Sequence, residues 1–237
     1  YAPAGMQALV LLGLALGSFL YLWLLPRTRA TLLLLASAEI AIGLGAFFSI
    51  LATSYLVSLG RIATVVLVIL PATTAMGMTF PIVAKLAPKQ GQAGAFVGTA
   101  YALNTLGSMV GPLVAGFVLL PWFGTTHTIL FLACLNLLFA LTLIDAEPQP
   151  PAAKLRPILA GVSALGLLLF VVLGISNSSI LFEKTLRTHL TQFADGKHTW
   201  AYAEDETAAV LAYNTADRSD YGLLVDGVGM SVLVDET

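Results

Sequence analysis

Long apolar stretches separated by short polar segments occupy the first three quarters of the chain. A helix crosses the hydrocarbon core of a bilayer with roughly 20 residues, because each residue adds 1.5 Å. The pattern therefore predicts an α-helical integral membrane protein with about six transmembrane helices. Their expected spans are residues 5–25, 31–56, 62–86, 95–120, 126–144 and 157–175. Pro121 is expected to end the fourth helix, with a turn over residues 121–125.

The pattern changes after residue 176, where the long apolar stretches give way to short alternating ones. Such stretches, separated by Gly and acidic residues, predict β-strands. We expect a short amphipathic helix at 178–190, followed by strands at 198–204, 207–213, 221–226 and 230–234. The sequence thus predicts a polytopic membrane module over residues 1–176 and a soluble segment with β-hairpins over residues 177–237.

Composition and charge agree with that division. Hydrophobic residues make up 58% of the chain and charged residues 10%, which is typical of an integral membrane protein. Residues 1–176 carry seven Lys/Arg and three Asp/Glu, a net charge of +4, whereas residues 177–237 carry four and ten, a net charge of −6. The acidic C-terminal segment argues against nucleic acid as a partner, and the bilayer is the expected one. A lone Cys134 excludes an intrachain disulfide and a zinc cluster, so no metal site is expected.

Small residues recur at helical spacing in two of the predicted helices. Without a hydrophobic drive between helices in lipid, small residues allow the close backbone contact that holds helices together. We assign this packing role to seven glycines: Gly13, Gly17, Gly94, Gly98, Gly107, Gly111 and Gly116. Asn104, near the middle of the fourth predicted helix, either forms hydrogen bonds between helices or faces a substrate path.

Glu39 is the only acidic residue well inside a predicted membrane helix. A charge at that depth is costly, so the side chain should face a partner or a wet cavity. Two interpretations stay open, a proton or cation site and a structural role. Pairing with Asn104 or Asn136 would avoid burial of an isolated charge.

The third predicted helix contains Pro71 and Pro81 together with the polar residues Thr73 and Thr74. Broken helices line binding sites in many transporters, so both threonines are candidate substrate contacts. The alternative is a kinked helix whose freed carbonyls bond to neighbouring threonines.

Loop charges predict the orientation in a cell membrane, inner or plasma. The basic residues of the membrane module that flank helices one, three and six are Arg27, Arg29, Lys85, Lys89, Lys154 and Arg156. Positive charge stays in the cytoplasm, so the loops after helices one, three and five are expected there. The C-terminal segment is then expected outside.

Three segments carry a resemblance to a known family. LPATTAMGMTFPIV (residues 70–83) and YALNTLGSMVGPLVAGFVLLPWFG (residues 101–124) resemble the membrane module of the fused MFS-like/spermidine synthase proteins. YGLLVDGVGMSVLVDE (residues 221–236) resembles the β-hairpin region that opens spermidine synthases, roughly Leu-x-Leu-Asp-Gly-Val-x-Gln and then an acidic pair. The Gln of that pattern, which helps hold the nucleoside substrate in the family, falls on Met230 here. A thioether lacks the donor and the acceptor of an amide.

The resemblance implies an MFS-like membrane part followed by an aminopropyltransferase-like domain. The full-length protein would then be a transferase that handles polyamines or related amines, with decarboxylated S-adenosylmethionine as a substrate. We expect this chain to be a fragment, with the nucleotide loop and the catalytic aspartate beyond Thr237, so it holds no catalytic residue. The enzyme resemblance places the C-terminal segment in the cytoplasm, opposite to the loop charges. Three functions stay open: a module that anchors or serves the soluble domain, half of a transporter for a polyamine or other small solute, and a structural or assembly protein.

Overall fold

The computed structural model of the chain describes residues 2–24, 31–55, 61–88, 92–148, 155–175, 197–204, 209–215, 220–225 and 228–234. The chain forms two compact units. The first, called the helical unit below, contains Tyr1–Ser108 and Ile129–Ser176, and the second contains Met109–Thr128 and Asn177–Thr237.

The described residues of the apolar part of the chain, up to Ile175, form long helices. Their bounds are α1 Ala2–Leu24, α2 Thr31–Tyr55, α3 Arg61–Lys85, α4 Ala93–Val114, α5 Leu120–Ala146 and α6 Leu155–Ile175. Five helical stretches are long and apolar enough to cross a membrane, because α4, a π-helical turn and α5 run together as Ala93–Ala146. These stretches make the chain a multi-pass membrane protein.

The prediction that Pro121 ends a helix is wrong, because the helical pattern continues through it, but the predicted turn at residues 121–125 does contain a break in the helix. Pro121 follows the π-helical turn Ala115–Leu119 without a break in the helix, and a local π-helical adjustment is one way in which a membrane helix accommodates a proline. The break lies at Gly124, with φ 69° and ψ 171°, a backbone conformation that suits a residue without Cβ. A stretch of 54 residues is about 80 Å long at 1.5 Å per residue, enough for two crossings of a hydrocarbon core of about 30 Å.

The core of the helical unit is arranged around α2. One cluster joins it to α5, and its buried residues are Leu33, Ala36, Ile40, Phe47, Leu130, Ala133, Leu137, Ala140 and Ile144. A second cluster, called the α1–α2–α3 cluster below, joins α2 to α1 and α3 through Tyr21, Leu35, Met78 and Ile82. Residues of α6 also pack against the first cluster. Helix α2 therefore has α5 and α6 as neighbours through the first cluster, and α1 and α3 through the second.

The backbones of α1 and α3 touch where the two helices cross. A Cβ added at Gly17 would overlap the carbonyl oxygen of Thr74, and one added at Gly77 would overlap that of Leu14. A Cβ added at Gly13 would overlap the side chain of Thr73. Gly13 and Gly17, two of the glycines assigned to helix packing, therefore lie in this crossing.

The glycines of α4 and of the π-helical turn have a different environment. A Cβ added at any of them would meet nothing within 4 Å, and the described residues of α4 include none that is buried. The expected packing contacts of Gly94, Gly98, Gly107, Gly111 and Gly116 are therefore not made by the described part of the chain. A pattern of small residues marks a face that can be packed closely, but it does not specify which helix packs on it.

A hydrogen bond between helices accompanies the α1–α3 crossing. Pro81 has no N–H, so the carbonyl of Gly77, four residues earlier, loses its helical donor. The Ser18 hydroxyl of α1 lies 3.2 Å from that carbonyl oxygen and 3.1 Å from the carbonyl oxygen of Leu14 in its own helix. The single hydroxyl proton is thus shared between a carbonyl that already has a helical donor and one that lacks it.

The second unit contains a sheet of four antiparallel strands in the order β1-β2-β3-β4. The strands are β1 Lys197–Glu204, β2 Ala209–Thr215, β3 Asp220–Val225 and β4 Val228–Val234. The register shifts between Thr199 and Ala201, and again opposite Leu223 and Leu224. The predicted helix at residues 178–190 lies outside the described residues, as do Arg27, Arg29, Lys89 and Lys154.

We predict that Ser18→Ala lowers the free energy of unfolding by about 0.6 kcal/mol, the average for hydrogen bonds between membrane helices. In the Pro81→Ala background the same change should cost less, because the restored N–H would satisfy the Gly77 carbonyl. Titration of the purified protein with a denaturing detergent in mixed micelles measures both values. The control is Thr105→Ala, since among the described residues this exposed hydroxyl bonds only to the Tyr101 carbonyl of its own helix. Equal costs of Ser18→Ala in the two backgrounds would contradict the role of Pro81.

Candidate functional site

Glu39 lies in the first half of α2 and is half-buried. Side chains advance by about 100° per residue around a helix, which places Glu39 between two packed faces. On one side is Gly43, where an added Cβ would lie 3.0 Å from the carbonyl oxygen of Ala133 in α5. On the other side is Leu35, which packs with Met78 in α3. The Glu39 side chain therefore projects where α3 and α5 both adjoin α2.

The predicted pairing of Glu39 with Asn104 or Asn136 is absent from the described part of the chain. The amide nitrogen of Asn136 instead donates to the Leu132 carbonyl of its own helix at 2.8 Å. Asn104 lies on α4, whose described residues are not buried. Within the described residues, no donor lies within hydrogen-bond distance of the Glu39 carboxylate. The structure thus provides a half-buried carboxylate with apolar neighbours and no described donor.

The two candidate threonines occupy another interface. Thr73 is buried beneath Gly13 and donates to the Ile69 carbonyl at 2.8 Å, and Thr74 donates to the Leu70 carbonyl at 2.7 Å. Both hydroxyls therefore bond within α3 on the side that faces α1. Neither threonine hydroxyl forms a hydrogen bond with Glu39 among the described residues.

Met230 is the extra residue of the register shift in β4, because Leu223 pairs with Ser231 and Leu224 with Gly229. Within the helical unit, no hydrogen bond among the described residues joins the four candidate substrate contacts to one another. No group of three His, Cys, Asp or Glu that would suit a metal ion occurs among the described residues.

Glu147, which no sequence pattern singled out, follows α5 and is only 3% exposed. One of its carboxylate oxygens accepts the backbone N–H of Leu32 at 2.9 Å and that of Leu33 at 3.3 Å. The first N–H groups of a helix have no acceptor within the helix, and the positive end of the helix dipole attracts an anion. The carboxylate therefore ties the end of α5 to the start of α2.

The signal for this cap is weak in the sequence. A side chain normally caps its own helix from the preceding position, but Glu147 is 115 residues from Leu32 along the chain. An acidic residue at the end of a membrane helix indicates only an exit from the bilayer. Its helix-capping role depends on the packing of α5 beside α2, which no local pattern specifies.

No family model, curated protein or solved structure matches this chain.

We predict that Glu147→Ala lowers the free energy of unfolding by about 1 to 2 kcal/mol, the usual cost of a lost N-cap. Glu147→Gln should cost less, because its amide oxygen still accepts the two N–H groups although it carries no charge. Asp145→Ala is the matched control, since this nearby carboxylate is exposed. Detergent unfolding of the three variants measures the difference. A cost for Glu147→Ala no larger than that for Asp145→Ala would show that the cap adds nothing.

Proposed function

We propose that this chain is the MFS-like membrane module of a spermidine synthase-like protein, together with the start of its aminopropyltransferase-like domain. Its role is to anchor that domain at the cell membrane. The observation that supports this proposal best is the order of elements along the chain. Apolar helices end at Ile175, and an antiparallel sheet of short strands begins at Lys197.

The contacts of the helical unit suit an anchor. Helices α1 and α3 touch through their backbones, and the Glu147 carboxylate joins α5 to the start of α2. Both contacts leave little room for the helices to shift against each other. The hydroxyls of Thr73 and Thr74 are engaged within their own helix and add no polar group to a path along α2. A fixed platform for a following domain needs such contacts.

The chemistry proposed for the full-length protein comes from the resemblance. Decarboxylated S-adenosylmethionine would donate an aminopropyl group, and a polyamine or related amine would accept it. Met230 stands where the family has a glutamine that contacts the nucleoside, and the bulge in β4 sets the position of its backbone. The rest of that domain would supply the nucleotide loop and the catalytic aspartate.

Sequencing the natural gene beyond the codon for Thr237 tests this proposal directly. We expect a strand, a glycine-rich turn with an acidic residue, and a later aspartate in a loop. Further apolar helices in place of these elements would overturn the synthase assignment.

A second candidate function is transport of a polyamine or other small solute, and the unpaired position of Glu39 among the described residues favours it. Proteoliposomes with the full chain separate the two functions. The anchor proposal predicts that uptake of labelled spermidine equals that of protein-free vesicles. Uptake above that level that falls with Glu39→Gln or Asn104→Leu, but not with the control Asn136→Leu, would replace the anchor by a transporter.

A further inference from the structure

Most basic residues of the membrane module belong to one end of the helical unit. The Glu147 cap brings the end of α5 to the start of α2, and the α1–α2–α3 cluster joins the ends of α1 and α3 to the same part of α2. Helix α6 follows α5 after only eight residues, 147–154, so it begins at this end as well. We call this end the basic face, because the sequence places six of the seven Lys/Arg of residues 1–176 at or between these helix ends: Arg27, Arg29, Lys85, Lys89, Lys154 and Arg156.

Arg156, the second residue of α6, lacks a partner in the described part of the chain. The side chain is half-buried, and its Nε is shielded from solvent without any hydrogen-bond acceptor. The nearby Glu147 carboxylate accepts the first N–H groups of α2 instead, and no described carboxylate lies within ion-pair distance of Arg156. A buried charged donor that is left unsatisfied is costly. The Arg156 guanidinium therefore calls for an anionic acceptor from another molecule.

The residues beside Arg156 restrict that molecule. Leu155 is 46% exposed and Ile158 is 60% exposed, so large apolar side chains adjoin the arginine at the start of a membrane-spanning helix. A phospholipid offers a matching pair of groups, a phosphate at the membrane surface and acyl chains directly below it. A soluble anion would meet the guanidinium but would gain nothing from the two apolar side chains. The planar guanidinium fork also suits a phosphate, to which it can donate two parallel hydrogen bonds.

We propose that Arg156 binds the phosphate of an anionic phospholipid whose acyl chains lie against Leu155 and Ile158. The surplus of basic residues on this face favours a lipid with a net negative charge over a zwitterionic one, whose ammonium group it repels. The inference goes beyond the proposed anchoring function, because the site belongs to the helical unit and needs no enzyme domain. Gene sequencing can therefore overturn the anchor while this site stands, and the reverse also holds.

Native mass spectrometry of the purified full chain in detergent tests the proposal, because it resolves bound lipids and gives the Kd of the first one. The probe is dioleoylphosphatidylglycerol, and dioleoylphosphatidylcholine is the zwitterionic comparison. We expect phosphatidylglycerol to bind more tightly than phosphatidylcholine. Arg156→Gln should raise the Kd of phosphatidylglycerol by about fivefold, the contribution of one basic residue near an anionic surface. Glycerol phosphate, which has the anionic group without the acyl chains, should not displace the lipid at equal concentration.

A matched control removes the same charge at the opposite end of the helical unit. Arg61 is the first residue of α3, whereas the end of α3 belongs to the basic face, so Arg61→Gln should leave the Kd of phosphatidylglycerol unchanged. Arg156→Lys keeps the charge but loses the planar fork. Its Kd should therefore lie between those of the wild type and Arg156→Gln, and this variant serves in the same comparison if Arg156→Gln does not fold.

Three outcomes would overturn the proposal. The first is a wild-type Kd for phosphatidylglycerol in Arg156→Gln, or in Arg156→Lys where the former does not fold. The second is an equal rise of the Kd in Arg61→Gln, which would reduce the effect to the total charge of the protein. The third is displacement of the lipid by an equal concentration of glycerol phosphate, which would make Arg156 a site for soluble anions.

Discussion

Inside a bilayer, each backbone N–H and C=O needs a partner within the protein, because the lipid tails offer none. An ideal helix supplies these partners along its length but not at its first turn or opposite a proline. Both exceptions occur in the helical unit. The Gly77 carbonyl, freed by Pro81, accepts a hydrogen bond from the Ser18 hydroxyl of α1, and the first N–H groups of α2 donate to the Glu147 carboxylate. These two polar contacts join α1 to α3 and α5 to α2.

Apolar packing supports the same pairs of helices. Lipid is as apolar as leucine, so close fit rather than exclusion of water holds membrane helices together. Glycines provide that fit at Gly13, Gly17 and Gly77, where two backbones meet, and at Gly43 between α2 and α5. The helices that carry the polar contacts are therefore also those with the closest approach. Glu39 lies on α2 between the contacts of that helix with α3 and with α5, which explains its half-buried position.

Much of the fold followed from the length of the apolar stretches, and helix ends lie within a few residues of the expected ones. The exception is the junction of α4 and α5, where Pro121 was expected to end a helix but lies inside a continuous one, which breaks at Gly124. Tertiary packing decided the rest. The hydroxyls of Thr73 and Thr74 bond to the carbonyls of Ile69 and Leu70, which are not those that the two prolines free, and their contact with a substrate stays a prediction. The cap by Glu147 depends on the packing of α5 beside α2, which the residues around Glu147 do not specify.

The cap on α2 also has a consequence for the order in which the protein is made. Leu32 and Glu147 are 115 residues apart, so α2 leaves the ribosome well before its acceptor exists. At 5 to 20 residues per second, the interval is roughly 6 to 23 seconds. During that time the first N–H groups of α2 must bond to water, to lipid headgroups or to the insertion machinery. Completion of α5 then displaces these temporary partners, so assembly of the helical unit ends with a late exchange of hydrogen bonds at the surface of the membrane.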